Sequence, residues 1–193
     1  MLRGIGTQRI RTPRLLLRQF EYWDLQNVFN GWTKDPEVTR YMRWKYHTSP
    51  TETLRFIKEW RRGYSFPLYF HWAIVWQETG KPIGSINLTV VDENDDRGEI
   101  GYSLSREYWG RHVMTEALEA VLEYGFNRVG FNRIEAYHSV GNNASGKVMR
   151  NAGMVYEGTA RQKCRIHTGE YTDCDCYAIL KEEYQKQMEE RKR

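Results

Sequence analysis

The sequence predicts an α+β protein, a single domain in which helices flank one mixed, mostly antiparallel sheet of about seven strands. Strand-like runs follow one another closely in the middle of the chain and are joined by short turns. Amphipathic stretches with helical spacing stand before, between and after these runs. The 193 residues are enough for one substantial core and favour one domain over two.

The first third of the chain contains one predicted strand and three helix starts. The strand is 14–18, introduced by a proline. Asp24 is expected to cap a helix that runs to about Trp32, because an Asp side chain accepts hydrogen bonds from the free N–H groups of a first turn. Two further helices are predicted to begin with proline in the first turn, at 35–37 and at 49–52.

The middle of the chain is predicted to form an antiparallel meander followed by a long helix. The strands of the meander are 70–76, 83–90 and 99–104, and polar turns join them. Apolar residues then recur at helical spacing, which predicts a helix whose apolar stripe belongs to the core. That stripe consists of Val113, Ala117, Leu118, Val121, Leu122 and Phe126.

A strand, a short helix and a set of closing strands complete the predicted fold. The strand is 133–140, and the helix opens at 142–145 and ends at Gly153. A charged helix begins at Lys181, after the last strand. The closing strands are 154–157, 163–166 and 171–180.

We expect a domain over 12–180, an N-terminal extension over 1–11, and a charged C-terminal helix or tail over 181–193. No apolar run approaches the ~20 residues that a membrane-spanning helix needs. Residues 1–6 also lack the apolar stretch of a signal peptide. The sequence therefore predicts a cytoplasmic protein with no membrane partner.

The distribution of charge and the number of cysteines argue against a nucleic-acid-binding protein and against a disulfide or metal-stabilised fold. The net charge is +4, and Lys and Arg alternate with Asp and Glu along the chain. This pattern favours a solvated mixed surface over a nucleic-acid-binding one, so no direct nucleic-acid partner is expected.

The three cysteines, at 164, 174 and 176, are an odd number and form no CxxC pair. We therefore predict neither a disulfide framework nor a metal site.

The most informative stretch is 108–117, which lies between a strand and the long helix. A strand, a turn containing Gly and a helix start form an anion cradle, because the first helical N–H groups have no intrahelical partner. Arg111 and His112 stand beside those groups, so a pyrophosphate is the expected occupant. The stretch has neither the Lys-Ser/Thr of a P-loop nor the glycine triplet of a dinucleotide site.

Several motifs together resemble those of the GNAT superfamily of N-acetyltransferases, and within it the ribosomal-protein-alanine N-acetyltransferase group. The resemblance runs from about Thr12 to Leu180, and the motifs occur in the family's order and spacing. They are Thr12-Pro13-Arg14-Leu15-Leu16-Leu17-Arg18, Ile83-Gly84-Ser85-Ile86, Glu99-Ile100-Gly101-Tyr102, Tyr108-Trp109-Gly110 with Thr115-Glu116-Ala117, and Asn143-Ala144-Ser145 followed by Asn151-Ala152-Gly153-Met154 and Glu157-Gly158.

The resemblance implies that acetyl-coenzyme A is the donor and that splayed central strands form its cleft. The pantetheine arm is expected beside Tyr102, Ser103 and Leu104, with Asn143 and Ser145 facing the coenzyme from the other side. The chain departs from the family at His112, where a second small residue is usual, and we expect His112 to offer its N–H with φ below zero. The implied pyrophosphate loop comprises Trp109, Gly110, Arg111, His112, Val113, Met114 and Thr115.

Acetyl transfer needs a neutral amine and a proton for the departing thiolate. An α-amine, with a pKa of ~7.7–8.0, needs only a modest base. Glu99 is the candidate base, since the resemblance places a carboxylate there and burial raises the pKa of a Glu; the alternative is a structural or surface carboxylate. The family's late-helix tyrosine is replaced by Met149. Ser145 is therefore assigned to the coenzyme sulfur, with a polar first-turn residue as the alternative.

The acceptor stays open at this point. A protein N-terminal α-amine, for example of a ribosomal protein, fits the resemblance, as does a small-molecule amine such as a polyamine, aminoglycoside or amino acid. The loop 41–47 either grips the acceptor or forms a packed corner. The rival functions are a non-catalytic acyl-coenzyme A-binding regulatory module and a ribosome-associated binding protein. A homodimer is compatible with the sequence.

Overall fold

The structure, a computed structural model, describes residues 1–191 of the chain. The strands are β1 (Ile10–Arg11), β2 (Leu15–Arg18), β3 (Phe70–Trp76), β4 (Lys81–Asp92), β5 (Arg97–Leu104), β6 (Arg133–Ser139), β7 (Val155–Arg165) and β8 (Tyr171–Leu180). The helices are α1 (Leu25–Val28), α2 (Pro36–Thr39), α3 (Pro50–Gly63), α4 (Val113–Glu123), α5 (Asn143–Asn151) and α6 (Lys181–Glu190). A 3₁₀ turn, Tyr22–Asp24, precedes α1, and π-helical turns, Phe29–Thr33 and Tyr124–Val129, continue α1 and α4.

One eight-stranded mixed sheet, in the order β1-β2-β3-β4-β5-β6-β8-β7, organises the fold and confirms the predicted class. All neighbouring strands are antiparallel except β5 and β6, which are parallel. The sheet has eight strands where about seven were expected, and its strands differ from the predicted set at two points. The short β1 adds a strand, and the predicted strands 154–157 and 163–166 are one strand, β7, in which irregular register absorbs the interruption.

The two parallel strands separate soon after they begin. They pair only from Arg97 with Arg133 to Glu99 with Glu135, and β6 then continues with β8 while β5 continues with β4. The predicted splay of the central strands is therefore present. It opens a V-shaped cleft between the C-terminal half of β5 and β6.

Helices cover both faces of the sheet. The predicted apolar stripe of α4 is buried throughout and packs on one face, together with strand residues such as Ile86 and Ile134. On the other face, α1 and α3 cover Ala73 and Val75 of β3, in a smaller core that includes Trp32 and Ile57. Because β3 is covered on both sides, it is buried along nearly its whole length, which explains its continuous apolar sequence.

Asp24 does not cap the helix predicted to follow it. Its carboxylate, 2 % exposed, accepts two hydrogen bonds of 2.7 Å from the Arg18 guanidinium and one of 2.8 Å from the Glu21 N–H. A bidentate ion pair with an arginine is stronger than a single hydrogen bond to a free helical N–H, so the buried carboxylate is turned toward Arg18 on β2. The helix start predicted at 35–37 is present as α2, and Asp35 caps it by accepting a 3.0 Å hydrogen bond from the Glu37 N–H.

The first eleven residues pack on the sheet. Leu2, Ile5 and Ile10 lie against the larger core, and the Trp72 indole donates a 2.7 Å hydrogen bond to the Gln8 carbonyl. None of the helices in the described residues is long and apolar enough to cross a membrane.

Candidate active site

A cavity of about 440 Å³ opens where β5 and β6 separate. Every predicted coenzyme-binding residue except Arg111 lines it. Three walls come from the end of β5, from the loop before α4 and from the first turns of α5. The fourth wall runs from Glu37 in α2 to Met42 in the loop after it. The sequence did not predict a part for α2 in this cavity, and it left the loop 41–47 open between gripping the acceptor and forming a packed corner.

The loop before α4 presents a row of free backbone donors to the cavity. The first hydrogen bond back into the loop comes from the Glu116 N–H, which donates to the His112 carbonyl at 3.2 Å. Within the described chain, the N–H groups from Gly110 to Thr115 have no protein acceptor. The positive end of the α4 dipole adds to their field, so this loop suits an anion such as a pyrophosphate.

The loop turns through two left-handed residues. Gly110 has φ +71° and His112 has φ +56°, so the expectation that His112 has φ below zero is wrong. The physical reason is the turn itself: His112 is the N-cap of α4, and its left-handed conformation belongs to the turn by which the chain enters the helix. Histidine is among the non-glycine residues that adopt this region more often than most.

Arg111 lies outside the cavity lining. Its guanidinium stands over the rings of Trp76 and Tyr108, 5.9 and 5.6 Å from their centroids, and its carbonyl accepts a 3.0 Å hydrogen bond from Arg14 Nη1. Its side chain therefore packs on the outer side of the loop, away from the cavity, and holds the loop against Trp76 and Tyr108. The backbone of Arg111 contributes one of the six free N–H groups.

Glu116 fastens the start of α4 to the first part of the chain. Its carboxylate accepts hydrogen bonds from Thr12 Oγ1 at 2.6 Å, from the Arg14 N–H at 2.9 Å and from Arg14 Nε at 2.6 Å. Burial opposes ionisation, but the bonds from Thr12 and Arg14 outweigh it and lower the pKa of Glu116. Two of the sequence motifs, at 12–18 and at 115–117, are thus parts of one contact.

The two arms of the cleft meet through Tyr102 and Ser145. The Tyr102 hydroxyl donates a 3.0 Å hydrogen bond to the Ser145 carbonyl, and burial raises the pKa of Tyr102, which keeps it a donor. Ser145 lines the cavity in the first turn of α5. Met149, one turn later, is 1 % exposed and belongs to the core, so it takes no part in the cleft.

Glu99 does not line this cavity. It lies opposite Glu135 at the last paired position of β5 and β6, where the strands begin to separate. Burial raises the pKa of Glu99, Glu135 adds to the rise, and the positive charges of Lys163 and Arg43 oppose it. A half-buried carboxylate with a raised pKa is a better proton acceptor than an ordinary surface Glu.

Glu99, Tyr137, Arg43 and Lys163 form a group that we call the Glu99 cluster. Arg43 Nη2 donates a 3.0 Å hydrogen bond to the Tyr137 hydroxyl, and Lys163 Nζ stands 5.0 Å from the centroid of the Tyr137 ring. The negative charge of Glu99 adds to the burial that raises the pKa of Tyr137. Tyr137 was missed at the sequence level, although strand alternation from Glu135 places it on the face of Glu99.

The loop 41–47 serves two purposes. Tyr41 and Met42 line the cavity, and Arg43 belongs to the Glu99 cluster. Trp44 and His47, by contrast, pack against Phe56 of α3, with ring centroids 5.9 and 4.7 Å from it. The second half of the loop is therefore a packed corner, one of the two expected alternatives, and acceptor binding stays a prediction for the first half.

The cysteines behave as buried thiols. Burial raises the pKa of Cys174 and of Cys176, which keeps both protonated near neutral pH. Cys164 is buried, and Arg43 Nη2 approaches its sulfur at 3.9 Å. Over residues 1–191 there is no group of three or more His, Cys, Asp or Glu that would hold a metal ion.

Known proteins share this architecture. The acetyltransferase (GNAT) domain family matches residues 14–155. The uncharacterized N-acetyltransferase p20 of Bacillus licheniformis is 30 % identical over 177 residues, which are 92 % of this chain and 98 % of that protein. The crystal structure of a GNAT-family acetyltransferase from Bacillus anthracis superposes with a TM-score of 0.79 and 28 % identity, covering 91 % of this chain and 99 % of the other.

A ribosomal-protein-S5-alanine acetyltransferase from Vibrio fischeri also superposes, with a TM-score of 0.79 over 92 % of this chain and 98 % of the other. At 20 % identity that likeness concerns the fold alone. Taken together, the fold and the relatives define an N-acetyltransferase. The chain belongs to the GNAT family, whose enzymes take their acetyl group from acetyl-coenzyme A.

Proposed function

We propose that the protein transfers an acetyl group from acetyl-coenzyme A to a primary amine, by direct attack of the amine within a ternary complex. The observation that carries the proposal is the arrangement around β5. Six free N–H groups stand beyond the C-terminal end of β5, and Glu99 stands where β5 leaves β6, outside the cavity lining. The site thus offers an anion cradle and a candidate base along one strand.

The cleft fits the coenzyme in two respects. The free N–H groups from Gly110 to Thr115 suit the pyrophosphate, and no described atom lies within 4 Å of where a Gly110 Cβ would stand, so a phosphate can approach closely. Beyond Glu99, the edge of β5 that faces β6 has no strand partner in the described fold. Its backbone groups can therefore pair with the amides of the pantetheine arm.

Glu99 is proposed to take the proton of the attacking amine, directly or through water. The amine nitrogen bonds to the thioester carbonyl carbon, and the carbonyl oxygen becomes an oxyanion. A backbone N–H of β5 near Tyr102 or Ser103 is proposed to stabilise that charge, which a fixed donor does at no cost in reorganisation. Collapse of the intermediate breaks the carbon–sulfur bond and releases the acetylated amine and coenzyme A.

Ser145 is proposed to donate a hydrogen bond to the departing sulfur. It stands in the first turn of α5, across the cleft from β5, and its backbone is fixed by the bond from Tyr102. Asn143 begins the same helix and lines the cavity, and it is proposed to contact the coenzyme from that side. A thiol with a pKa near ~8.5 is a fair leaving group, so this contact assists the reaction and does not carry it alone.

The acceptor is proposed to be a protein N-terminal α-amine or a small-molecule amine. The relative from Vibrio fischeri is described as acting on a ribosomal protein, which keeps a ribosomal protein among the acceptors to be tested. The proposal places the reaction in the cytoplasm. It assigns no role to a metal ion.

The test follows free thiol release from acetyl-coenzyme A in the presence of a panel of amines and N-terminal peptides. Release above the hydrolysis background with at least one acceptor supports the proposal. Absence of release with every acceptor would remove it in favour of a non-catalytic acyl-coenzyme A-binding module. Binding to ribosomes that falls steeply with salt and ignores the coenzyme would favour a ribosome-associated binding protein instead.

Glu99→Gln tests the base. In the wild type, kcat/KM should fall as the pH drops through the raised pKa of Glu99, because protonation removes the base. Below that pKa the wild type has also lost its base, so the difference in rate between wild type and variant should be largest above it, and the variant should lack this limb of the profile. Glu93→Gln, in an exposed turn, is the matched control and should keep the wild-type profile. A Glu99→Gln profile identical to that of the wild type contradicts the assignment.

A further inference from the structure

The two cations of the Glu99 cluster have no carboxylate of their own. Among the residues described, no Asp or Glu oxygen lies within 4 Å of Arg43 or Lys163. The nearby arginines of the sheet differ, since Arg133 is paired with Glu135 and Glu157. The arginine of the neighbouring strand is thus neutralised by ion pairs, whereas the two positive charges near Glu99 are not.

Tyr137 sets the positions of both cations. Its hydroxyl accepts the bond from Arg43, and its ring face attracts Lys163, so the two charges converge on one side chain from different elements. Both reduce the rise in the pKa of Glu99, so their field reaches the proposed base. Both side chains are also exposed, which leaves their remaining donors free for a ligand.

A second cavity, of about 430 Å³, lies on the other side of Glu99, between α3 and the strands β3 and β4. We call it the aromatic groove; its lining includes Trp60, Tyr69, His71, Asn87 and Thr89. Thr89 pairs directly with Glu99, so the groove and the proposed base share one face of the sheet.

The aromatic groove carries no ionised side chain near neutral pH. Burial lowers the pKa of His71 to about 3 and raises the pKa of Tyr69 to about 12. Gly101 follows Glu99 on the same face of β5, and the Asn87 amide covers it, since a Cβ there would stand 2.9 Å from Asn87 Oδ1. Thr89, the next groove residue on that face of β4, lies directly opposite Glu99, so the lining of the groove reaches the proposed base.

We propose that the acceptor is an α-amino acid with an uncharged side chain, its amine at Glu99, its carboxylate at Arg43 and Lys163, and its side chain in the aromatic groove. This inference rests on the proposed acetyl transfer and names the acceptor class for that site. An α-amino acid holds a carboxylate next to its amine, so one molecule satisfies the base and the two cations together. Polyamines and aminoglycosides bring further positive charges toward Arg43 and Lys163, which repel them.

The test compares phenylalanine with phenylalaninamide as acceptors for the wild-type protein. The two molecules have the same shape, but the amide lacks the negative charge. The amide is also the weaker base, so a larger share of its amine is neutral; a preference for the acid therefore cannot come from amine ionisation. We expect kcat/KM to be about tenfold higher for phenylalanine, the ratio that corresponds to one pKa unit of interaction energy.

Arg43→Gln and Lys163→Gln locate the effect. Each should bring the acid-to-amide ratio toward one, because the interaction with the carboxylate is lost; a change in the pKa of Glu99 acts on both acceptors alike and cancels in the ratio. Lys186→Gln, an exposed position on α6, is the matched control and should keep the wild-type ratio. An unchanged ratio in both cluster variants would overturn the assignment of the carboxylate to these cations.

Failure of this inference is separable from failure of the proposed function. Acetylation of phenylalaninamide, spermidine or an N-terminal peptide with kcat/KM equal to or above that of phenylalanine overturns the inference and leaves acetyl transfer intact. If no acceptor is turned over, acetyl transfer fails. Calorimetry on the coenzyme A-loaded protein then decides the inference: tighter binding of phenylalanine than of its amide supports it, and equal or absent binding overturns it.

Discussion

Glu116→Gln should destabilise the fold and loosen the pyrophosphate loop. The Glu116 side chain is 16 % exposed and accepts three hydrogen bonds, each shorter than 3.0 Å. A bond to a charged group contributes about 1.5–3 kcal/mol, and those from Arg14, which is 40 % exposed, belong at the low end. Gln keeps one acceptor but turns an NH₂ group toward the Arg14 donors. We therefore expect a loss of about 2–4 kcal/mol in the free energy of unfolding.

Chemical denaturation measures this loss, and a melting curve should show a fall of roughly 5–15 °C for a chain of this size. The pH dependence follows from the lowered pKa of Glu116. The stabilisation is complete above the unfolded-state pKa of about 4.3 and is lost as the pH falls through the lower folded-state pKa. The gap between wild type and variant should therefore be widest near neutral pH and narrow in acid. Coenzyme A affinity should fall too, because Arg14 also holds the Arg111 carbonyl.

Glu119→Gln is the matched control on the same helix. Glu119 is 37 % exposed and pairs with Arg191, itself 50 % exposed, at 3.0 Å. An exposed pair of this kind contributes about 0–1 kcal/mol. Equal losses of stability in the two variants, or a loss at Glu116 that does not depend on pH, would refute the reasoning.

Three further substitutions test the cleft. His112→Val should be about 1–2 kcal/mol less stable than His112→Gly, because a branched side chain is strained at positive φ; denaturation curves that coincide would contradict this. Gly146→Ala should cost about 1–3 kcal/mol, since its Cβ would stand 2.5 Å from His138 Nε2, and an unchanged melting temperature would show that the helix shifts freely. Tyr102→Phe removes the hydrogen bond to Ser145 and should lower the free energy of unfolding by about 0.5–1.5 kcal/mol and weaken coenzyme A binding. Undiminished coenzyme affinity in calorimetry would show that this bond does not hold the two sides of the cleft in place.

Much of the fold could be predicted because local patterns agreed with the final packing. The strand 70–76 was identified with its observed bounds, and the apolar stripe of α4 is buried as predicted. Where local rules failed, a distant partner was the cause. Asp24 has the chemistry of a helix cap, but Arg18 on the neighbouring strand competes for its carboxylate. Nothing between residues 24 and 32 reveals that competition.

At the candidate site, too, local features could be predicted and features that depend on distant residues could not. A glycine-containing turn between a strand and a helix can be identified from sequence, because the free N–H groups of a helix start are a local property. The conformation of His112 is not local in this sense, since it depends on where β5 ends relative to the start of α4. The role of Arg111 is also decided by neighbours, the rings of Trp76 and Tyr108.

By itself, the sequence determined the fold class, the place of the anion cradle and the family, because these depend on residues close together in the chain. Only the tertiary structure decided which residues surround Glu99. Arg43, Tyr137 and Lys163 come from a loop, β6 and β7, and they meet because β5 and β6 separate beyond Glu99. Their electrostatic effect on Glu99 depends on distance in space, which sequence separation does not record.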